Sequence, residues 1–462
     1  MNWALQHTTR LAVSLVSLDK ELEAMAKRSE KADDPFARNK SHIQRLSAYL
    51  SAATETLKAR VAQLEAVPEE YWNEQQLAQQ CQALYRVWQN FRGLLALREG
   101  GEYRQWLEAA DDFAWACYEP YVLAARAKQD PNRMEKLPPF IYPEGVASPL
   151  VRPSGHAFLA EQLGRDTKVV NQMEKLLDAL PLSMIALPWH LLSQPEFVVT
   201  LAHEVGHLVE RDFAISTSLD SSITGAVHED NQTAWLSWRC ELFADFFGTL
   251  IAGPAFAFAL AAVLARGPTV VANQKKSGPK WGQYPLYHLR VELCAEVLTQ
   301  TFFKEGSSVT GWAKYGPATL LSRWRGTYTS FHDRSQLHSF SSDLKPLVAA
   351  LLGMKPKAFG GKTLGEVNGY TDKSHAKVLA DAKNLLAGAI PSAEKAFPLM
   401  LAAQLAFAHK PKTYADKNAA KKVLEKIPRA TAPRAQPAAP GNMQDTLKKD
   451  RQAGSRFQEC FQ

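Results

Sequence analysis

Two histidines and a glutamate in the stretch His203-Glu204-Val205-Gly206-His207 have the types and spacing of a metal centre. Residues four apart on an α-helix lie on one face, so both imidazoles can reach a single metal ion. Glu204 lies on the neighbouring part of that face, where it would hold a metal-bound water rather than the metal. The spacing therefore predicts a Zn²⁺ site able to activate water.

The residues around this motif predict a helix that carries it. Residues 193–196 (Ser-Gln-Pro-Glu) have the pattern of a capping box, with proline in the first turn. Apolar residues then follow at helical spacing to about Arg211. The small side chain of Gly206 would let another element pack closely. Upstream, the apolar run Met184–Pro188 predicts a strand, along which an extended substrate could lie.

A second predicted helix, 235–248, is apolar but carries two acids, Glu241 and Asp245, one turn apart. A buried carboxylate is costly unless it is paired or bound to a metal. Binding of Glu241 to zinc, and a hydrogen bond from a ligand imidazole to Asp245, would remove that cost. Because a catalytic zinc has three protein ligands and an open position, we expect the ligands to be His203, His207 and Glu241.

HEVGH at 203–207 followed by ELFAD at 241–245 resembles the gluzincin pattern, H-E-x-x-H then E-x-x-A-D. It is similar to that of the CAAX-protease/HtpX type and the ImmA/IrrE type of metallopeptidase, over about residues 180–300. The resemblance implies a helical zincin-like core with a small sheet at its cleft. It also implies a zinc endopeptidase acting on a protein or peptide substrate. Glu204 would be its general base, and Asp245 would support a ligand from behind.

Residues 284–291 (Tyr-Pro-Leu-Tyr-His-Leu-Arg-Val) resemble the H-P-x-x-x-R-I stretch that follows the third ligand in the HtpX type, with tyrosine in place of its first histidine. Tyrosine, histidine and arginine are the usual donors to a developing oxyanion. The candidates here are Tyr284, Tyr287, His288 and Arg290. The alternative is that Arg290 makes a structural ion pair.

Each motif also has a structural alternative. The HEVGH residues could lie on a solvated surface helix, and Glu241 and Asp245 could pair with Arg239 or with a lysine. A metzincin centre is excluded, because Glu210 and Phe213 stand where it requires Gly and His. The alternative function is a non-catalytic regulatory or binding protein that keeps zinc for structure or sensing.

Length and composition predict a mainly α (α+β) protein of several regions. We expect a helical N-terminal region (1–135), the metallopeptidase region (136–335), a helical C-terminal region (336–428), and a Pro/Ala-rich linker with a basic tail (429–462). Five scattered cysteines without a C-x-x-C pair argue against a disulfide framework. Together with the lack of a predicted secretory signal, they favour a cytoplasmic location.

One uncharged stretch, 246–264, is long enough to cross a membrane. The Gly-Pro pair at 253–254 interrupts it, and much of it is alanine. We therefore expect two buried core helices rather than a membrane span.

Positive charge is concentrated at the C-terminal end. Residues 410–462 carry 12 Lys and Arg against five Asp and Glu, which accounts for the whole net charge of +7. Such a tail could bind nucleic acid, an acidic partner or a membrane surface. Since no nucleic-acid recognition motif accompanies it, we favour a solvated end, with nucleic-acid binding through the tail as the alternative.

Overall fold

A computed structural model of the protein describes residues 2–427 apart from 74, 127–135, 146–149, 153–175, 177–179, 181, 273–280, 304–312, 330–333 and 369–371. Within these residues the chain is mainly helical and contains one three-stranded sheet. The fold is therefore mainly α with a small β element, as predicted. The linker and basic tail expected at 429–462 lie outside the described residues.

The N-terminal region consists of long helices, as its composition predicts. They are α1 (Trp3–Glu30), α2 (Lys40–Ala66), α3 (Gln75–Ala96) and α4 (Gly101–Arg126). The first three pack around a core of their own, which includes Leu22, Leu50 and Leu84. Helix α4 instead contributes to the larger core of the molecule and packs against the helix that carries the HEVGH motif. The N-terminal helical region thus supports the candidate site directly.

The sheet separates these two cores. Strands β1 (Phe140–Glu144), β2 (Leu150–Arg152) and β3 (Met184–Pro188) are ordered β1-β3-β2, with β1 parallel and β2 antiparallel to β3. Successive side chains on a strand point to opposite faces. Accordingly, Ile185 and Leu187 face the larger core, whereas Met184 and Ala186 face the N-terminal core.

The strand predicted at Met184–Pro188 is confirmed, but its expected role as a wall beside an extended substrate is wrong. This strand is central, because Ile185 pairs with Ile141 on one side and with Val151 on the other. Strand β2 pairs only with residues 184–186, but all five residues of β3 are buried, which leaves no exposed edge for a peptide. Strand β2 contacts the helix with the HEVGH motif.

The middle of the chain holds the site-bearing helices. They are α5 (Pro195–Val198), α6 (Leu201–Asp212), α7 (Ser216–Thr224), α8 (Gln232–Ser237), α9 (Arg239–Leu264), α10 (Pro268–Ala272) and α11 (Tyr287–Gln300). Helix α9 packs against α6 on one side and α11 on another. The second predicted helix, 235–248, is thus divided at Trp238, where α8 ends and α9 begins.

The predicted single helix from Ser193 to Arg211 is also wrong at its start. Gln194 precedes the short α5 and makes no side-chain capping bond, and the chain turns before α6 begins. Instead of bonding back to the helix start, Glu196 accepts a hydrogen bond from the Tyr414 hydroxyl at 2.8 Å. The capping box therefore does not form, because this buried glutamate has a long-range partner.

Helix α9 confirms the expected break in the apolar stretch. Gly253 has φ 58° and ψ −139°, which is not helical, and Pro254 follows it. Among the described residues, α9 is the one helix long and apolar enough to cross a membrane. Of its apolar stretch of 18 residues, 83% is buried inside the fold. A buried core helix meets the same criteria, so this helix is weak evidence for a membrane.

The C-terminal region adds α12 (Pro317–Thr327), α13 (Arg334–Gly353), α14 (Leu364–Asn368), α15 (Asp372–Ala387), α16 (Ala396–His409), α17 (Pro411–Asp416) and α18 (Ala419–Lys426). The boundary expected between 335 and 336 falls inside α13. Helices α13 and α16 pack onto α11 and α9, in the same core as α6. Cys81, Cys117, Cys240 and Cys294 are free thiols, and the cytoplasmic location remains a prediction.

Candidate metal centre

The two helices that carry the predicted ligands, α6 and α9, are in close contact at Gly206. A Cβ atom added to Gly206 would lie 2.9 Å from the Cα of Ala244 and 3.2 Å from the Cβ of Phe247. Only glycine allows the helices to approach this closely. The close packing expected from the small residue beside the ligands is therefore confirmed.

This packing brings His203, His207 and Glu241 together. Their potential ligand atoms all lie within 4.8 Å of one another. His203 Nε2 is 3.2 Å from His207 Nε2 and 3.3 Å from Glu241 Oε2, and His207 Nε2 is 3.5 Å from Glu241 Oε1. Two ring nitrogens and one carboxylate thus face a common point, so the HEVGH histidines do not lie on a solvated surface helix.

Asp245 lies behind His203, one helical turn after Glu241. Its Oδ1 is 2.9 Å from His203 Nδ1, so the ring presents Nε2 to the other two side chains. Asp245 is fully buried and accepts two hydrogen bonds from Arg290, from Nε at 2.6 Å and from Nη2 at 2.8 Å. The buried acid is therefore paired with Arg290 of α11, and not with Arg239 as the structural alternative proposed.

The electrostatics of the cluster follow from these contacts. Burial alone would lower the pKa of His203, but its contacts with Asp245 and Glu241 dominate and raise that pKa to about 10. Burial opposes ionisation of Glu241, yet its contacts with His203 and His207 lower the pKa of its carboxyl group. The three side chains thus favour a positive charge between them, supplied by a proton or by a metal ion.

The donor set fits zinc. Imidazole nitrogen and carboxylate oxygen are common zinc ligands, and three of them leave a position for water. Glu241 Oε2 is buried and lies 3.3 Å from His203 Nε2 and 3.6 Å from Arg290 Nη2, without a well-formed hydrogen bond to either. A metal ion would supply the close contact that this buried oxygen lacks. The residues present therefore suit a divalent ion held by two histidines and a glutamate.

Glu204 and Tyr284 lie near this cluster and differ in their exposure to solvent. Glu204 is buried on α6 next to His203. Tyr284 is 48% exposed, and its ring lies 5.8 Å from the guanidinium carbon of Arg290. The negative charge of Glu241, followed by partial burial, raises the pKa of the Tyr284 hydroxyl. The hydroxyl therefore keeps its proton at neutral pH and can donate a hydrogen bond.

The other three predicted donors are placed differently. Tyr287 begins α11 and packs, partly buried, against the larger core. Arg290 is buried, and the two guanidinium nitrogens that bind Asp245 make it an ion-pair partner, which is the structural alternative raised for it. The buried ring of His288 accepts a hydrogen bond from Trp324 Nε1 at 2.9 Å and lines a separate cavity of about 580 Å³ with Glu292. Burial, more than any neighbouring charge, lowers the pKa of His288.

Two positioning contacts escaped the sequence interpretation. Arg239, two residues before Glu241, donates a hydrogen bond to Glu210 Oε1 at 2.9 Å. Since Glu210 follows His207 by three residues, this ion pair joins α6 to α9 beside the ligands. The closeness of Glu210 and Arg239 in sequence to the two ligands was the available signal, but this closeness alone could not pair them.

Asp343 of α13 makes the second of these contacts. Its carboxylate accepts hydrogen bonds from the backbone N–H of His228 at 3.0 Å, from Asn231 Nδ2 at 2.7 Å and from Trp235 Nε1 at 2.9 Å. These bonds fix the segment that leads into α9. No sequence signal pointed to Asp343, because it lies more than 100 residues away along the chain.

Comparisons with protein-family models, with curated proteins and with solved structures find no match to this chain. The resemblance to gluzincins therefore depends on the two sequence motifs alone.

Proposed function

We propose that the protein is a zinc-dependent endopeptidase of gluzincin type, with a zincin-like core formed around α6 and α9. The observation that carries the proposal is the convergence of the potential ligand atoms of His203, His207 and Glu241 within 4.8 Å. Two histidines one turn apart and a glutamate from a neighbouring helix form a three-ligand set, which is the number that catalytic zinc sites use.

Zinc bound by these residues would lower the pKa of a coordinated water and polarise a carbonyl group of the substrate. The roles of the chain's own residues follow from their positions. Glu204 accepts a proton from the attacking water and delivers it to the leaving amine. Asp245 holds His203 with Nε2 turned toward the other ligands, and Arg290 keeps Asp245 ionised.

Tyr284 is the residue best suited to stabilise the developing oxyanion. It lies beside Arg290 and Glu241, is partly exposed, and keeps its hydroxyl proton. A donor that faces the reacting carbonyl lowers the barrier because it binds the transition state more tightly than the substrate. Arg290 acts through Asp245 as a positioning residue.

The experiment that tests the proposal compares wild-type protein with the Glu204→Gln variant, both loaded with zinc. New amino termini released from an unfolded protein substrate report peptide hydrolysis. We expect the variant to keep its zinc and to lose at least about a hundredfold in turnover, the lower end of the effect of general-base catalysis. Normal turnover in the variant would refute the mechanism.

A zinc protein without catalytic activity is the alternative, and the same experiment separates the two functions. A regulatory or sensing protein would hold zinc in both forms and would hydrolyse no peptide in either. In that case, the next step is to identify proteins that bind this chain instead of cleavage products.

A further inference from the structure

A group of basic side chains gathers where α12, α15 and α16 meet in the C-terminal region. We call the side chains of Lys314, Arg323, Lys383, His409 and Lys410 the basic patch. Arg323 Nη1 donates a hydrogen bond to the backbone oxygen of Ala408 at 2.7 Å, which holds it at the end of α16.

The buried ring of Tyr315 links two further members of the patch. The His409 ring lies 6.0 Å from the Tyr315 ring, and Lys314 Nζ lies 5.1 Å from the centre of the same ring. Lys314 and His409 thus both pack against one aromatic side chain, and His409 follows Ala408, whose backbone oxygen binds Arg323. Packing and a hydrogen bond therefore hold three of the five members of the patch in place, Lys314, Arg323 and His409.

The described part of the chain gives the patch no acidic partner. Burial and then the charges of Lys383 and Lys410 lower the pKa of Lys314. Burial and then the charges of Lys314, Lys410 and Arg323 lower the pKa of His409. Every charge that perturbs these two groups is positive, and within the described residues no ion pair involves any member of the patch. Cations held together in this way favour an anionic partner.

The positive surface continues past the patch along α15. Gly388 ends this helix five residues after Lys383, and Lys422 Nζ donates a hydrogen bond to its backbone oxygen at 2.6 Å. The side chain of Lys417 also lies against Gly388. The acids of α17 and α18 are Asp416, which is exposed, and Glu425, which pairs with Lys421 at 3.8 Å. Lys417 and Lys422 therefore add two cations at the C-terminal end of α15, the helix that carries Lys383. We call these two lysines and the basic patch together the cation row.

We propose that this row binds the phosphodiester backbone of nucleic acid. Lysines and an arginine presented by several neighbouring helices can each bind a phosphate of one nucleic-acid chain, and such contacts give affinity without base recognition. An anionic membrane fits less well, because membrane-binding surfaces combine cations with several exposed apolar side chains. Past residue 284, Ile390 is the one large apolar side chain that the described residues expose.

This activity is independent of the metal centre and goes beyond the proposed peptidase. It also differs from binding by the tail, since every residue of the row lies in the folded part of the protein. Nucleic acid held there would place the peptidase near proteins that share the same nucleic acid.

The test uses the full-length chain and a short labelled DNA duplex of mixed sequence, with affinity measured over a range of salt concentrations. Each phosphate contact contributes about 0.9 to the slope of log affinity against log salt. The triple variant Lys314→Gln/Lys383→Gln/Lys410→Gln should lose roughly tenfold or more in affinity and about two to three in slope. If it does not fold, the double variant Lys383→Gln/Lys410→Gln, at exposed positions, serves the same purpose.

Two control variants remove the same amount of charge elsewhere. Arg10→Gln/Lys20→Gln/Lys31→Gln removes three exposed cations from the N-terminal helical region and should change the affinity by less than about twofold. Lys448→Gln/Lys449→Gln/Arg451→Gln changes only the tail. If the tail variant abolishes binding while the patch variant binds as wild type does, the proposal is overturned. Binding to phosphatidylserine vesicles without any binding to DNA overturns it as well.

Discussion

Arg290 and Asp245 form a buried, two-pronged ion pair directly behind the candidate metal ligands. The guanidinium Nε and Nη2 lie 2.6 and 2.8 Å from the two carboxylate oxygens of Asp245. Asp245 in turn lies 2.9 Å from His203 Nδ1. Two residues from two other helices, Asp245 of α9 and Arg290 of α11, therefore set the orientation of the first histidine of the HEVGH motif.

Replacing Arg290 with glutamine is expected to weaken both the fold and the metal site. It leaves a fully buried carboxylate without its cation, which costs about 3–5 kcal/mol. Loss of the support behind a ligand typically reduces metal affinity about 10- to 100-fold. Urea denaturation and zinc competition with a chelator measure the two effects.

The matched control is Arg325→Gln, which breaks an ion pair with Glu292 on an arginine that is 63% exposed. A surface pair contributes at most about 1 kcal/mol, so this variant should keep its stability and its zinc affinity. Equal effects of the two substitutions would contradict the role assigned to Arg290.

The close approach of α6 and α9 predicts that Gly206→Ala damages the site. The added Cβ would lie 2.9 Å from the Cα of Ala244, so the helices must separate. Overpacking of this kind costs about 1–3 kcal/mol. The midpoint temperature of thermal unfolding and the zinc affinity should both decline. In contrast, Gly326→Ala in α12 meets nothing within 4 Å and should be neutral or slightly stabilising. A stable, zinc-binding Gly206→Ala protein would refute the packing argument.

Tyr284 is expected to affect turnover and not metal binding. Tyr284→Phe removes only the hydroxyl, so the zinc content should stay as in wild type. Loss of one oxyanion donor lowers kcat by about 100- to 1000-fold in well-studied hydrolases. Tyr103, which is 47% exposed on α4, provides the control, and Tyr103→Phe should leave kcat unchanged. If kcat is equal in the two variants, another residue must stabilise the oxyanion.

His375 predicts a loss of stability in acid. This histidine of α15 is buried against Phe302, with ring centres 4.5 Å apart, and burial lowers its pKa from 6.5 to about 3. The unfolded chain binds a proton there below pH 6.5, whereas the folded chain does not until about pH 3. Stability is therefore fully present above pH 6.5 and declines as the pH falls from 6.5 toward 3.

At pH 5 this histidine alone should cost about 2 kcal/mol relative to neutral pH. His375→Gln should show a smaller difference in unfolding free energy between pH 7 and pH 5 than wild type. Urea denaturation at pH 7 and at pH 5 measures this difference. An identical pH dependence in the two proteins would show that His375 titrates in the folded state.

The metal-binding side chains were predictable from sequence because their spacing is local. His203 and His207 are four apart on one helix, and Glu241 and Asp245 are four apart on another, so helical geometry alone places each pair on one face. The break at 253–254 was predictable for the same reason, since glycine and proline act on their own segment.

The partners of these side chains were not predictable, because they come from distant parts of the chain. Arg290 reaches Asp245 from α11, and nothing in its own segment distinguishes an ion pair from a catalytic donor. Glu196 has a local pattern that predicts a capping box. Instead, its carboxylate accepts a hydrogen bond from Tyr414, more than 200 residues later in the chain. The central position of Met184–Pro188 likewise depends on strands that only the folded chain brings beside it.

The most direct test of the central claim is the zinc content of purified wild-type protein beside the Glu241→Ala variant, measured by elemental analysis. The three-ligand site predicts about one zinc per wild-type chain and a sharp reduction in the variant, because two histidines alone bind zinc weakly. A folded wild-type protein that takes up no zinc even when the metal is supplied would contradict the account.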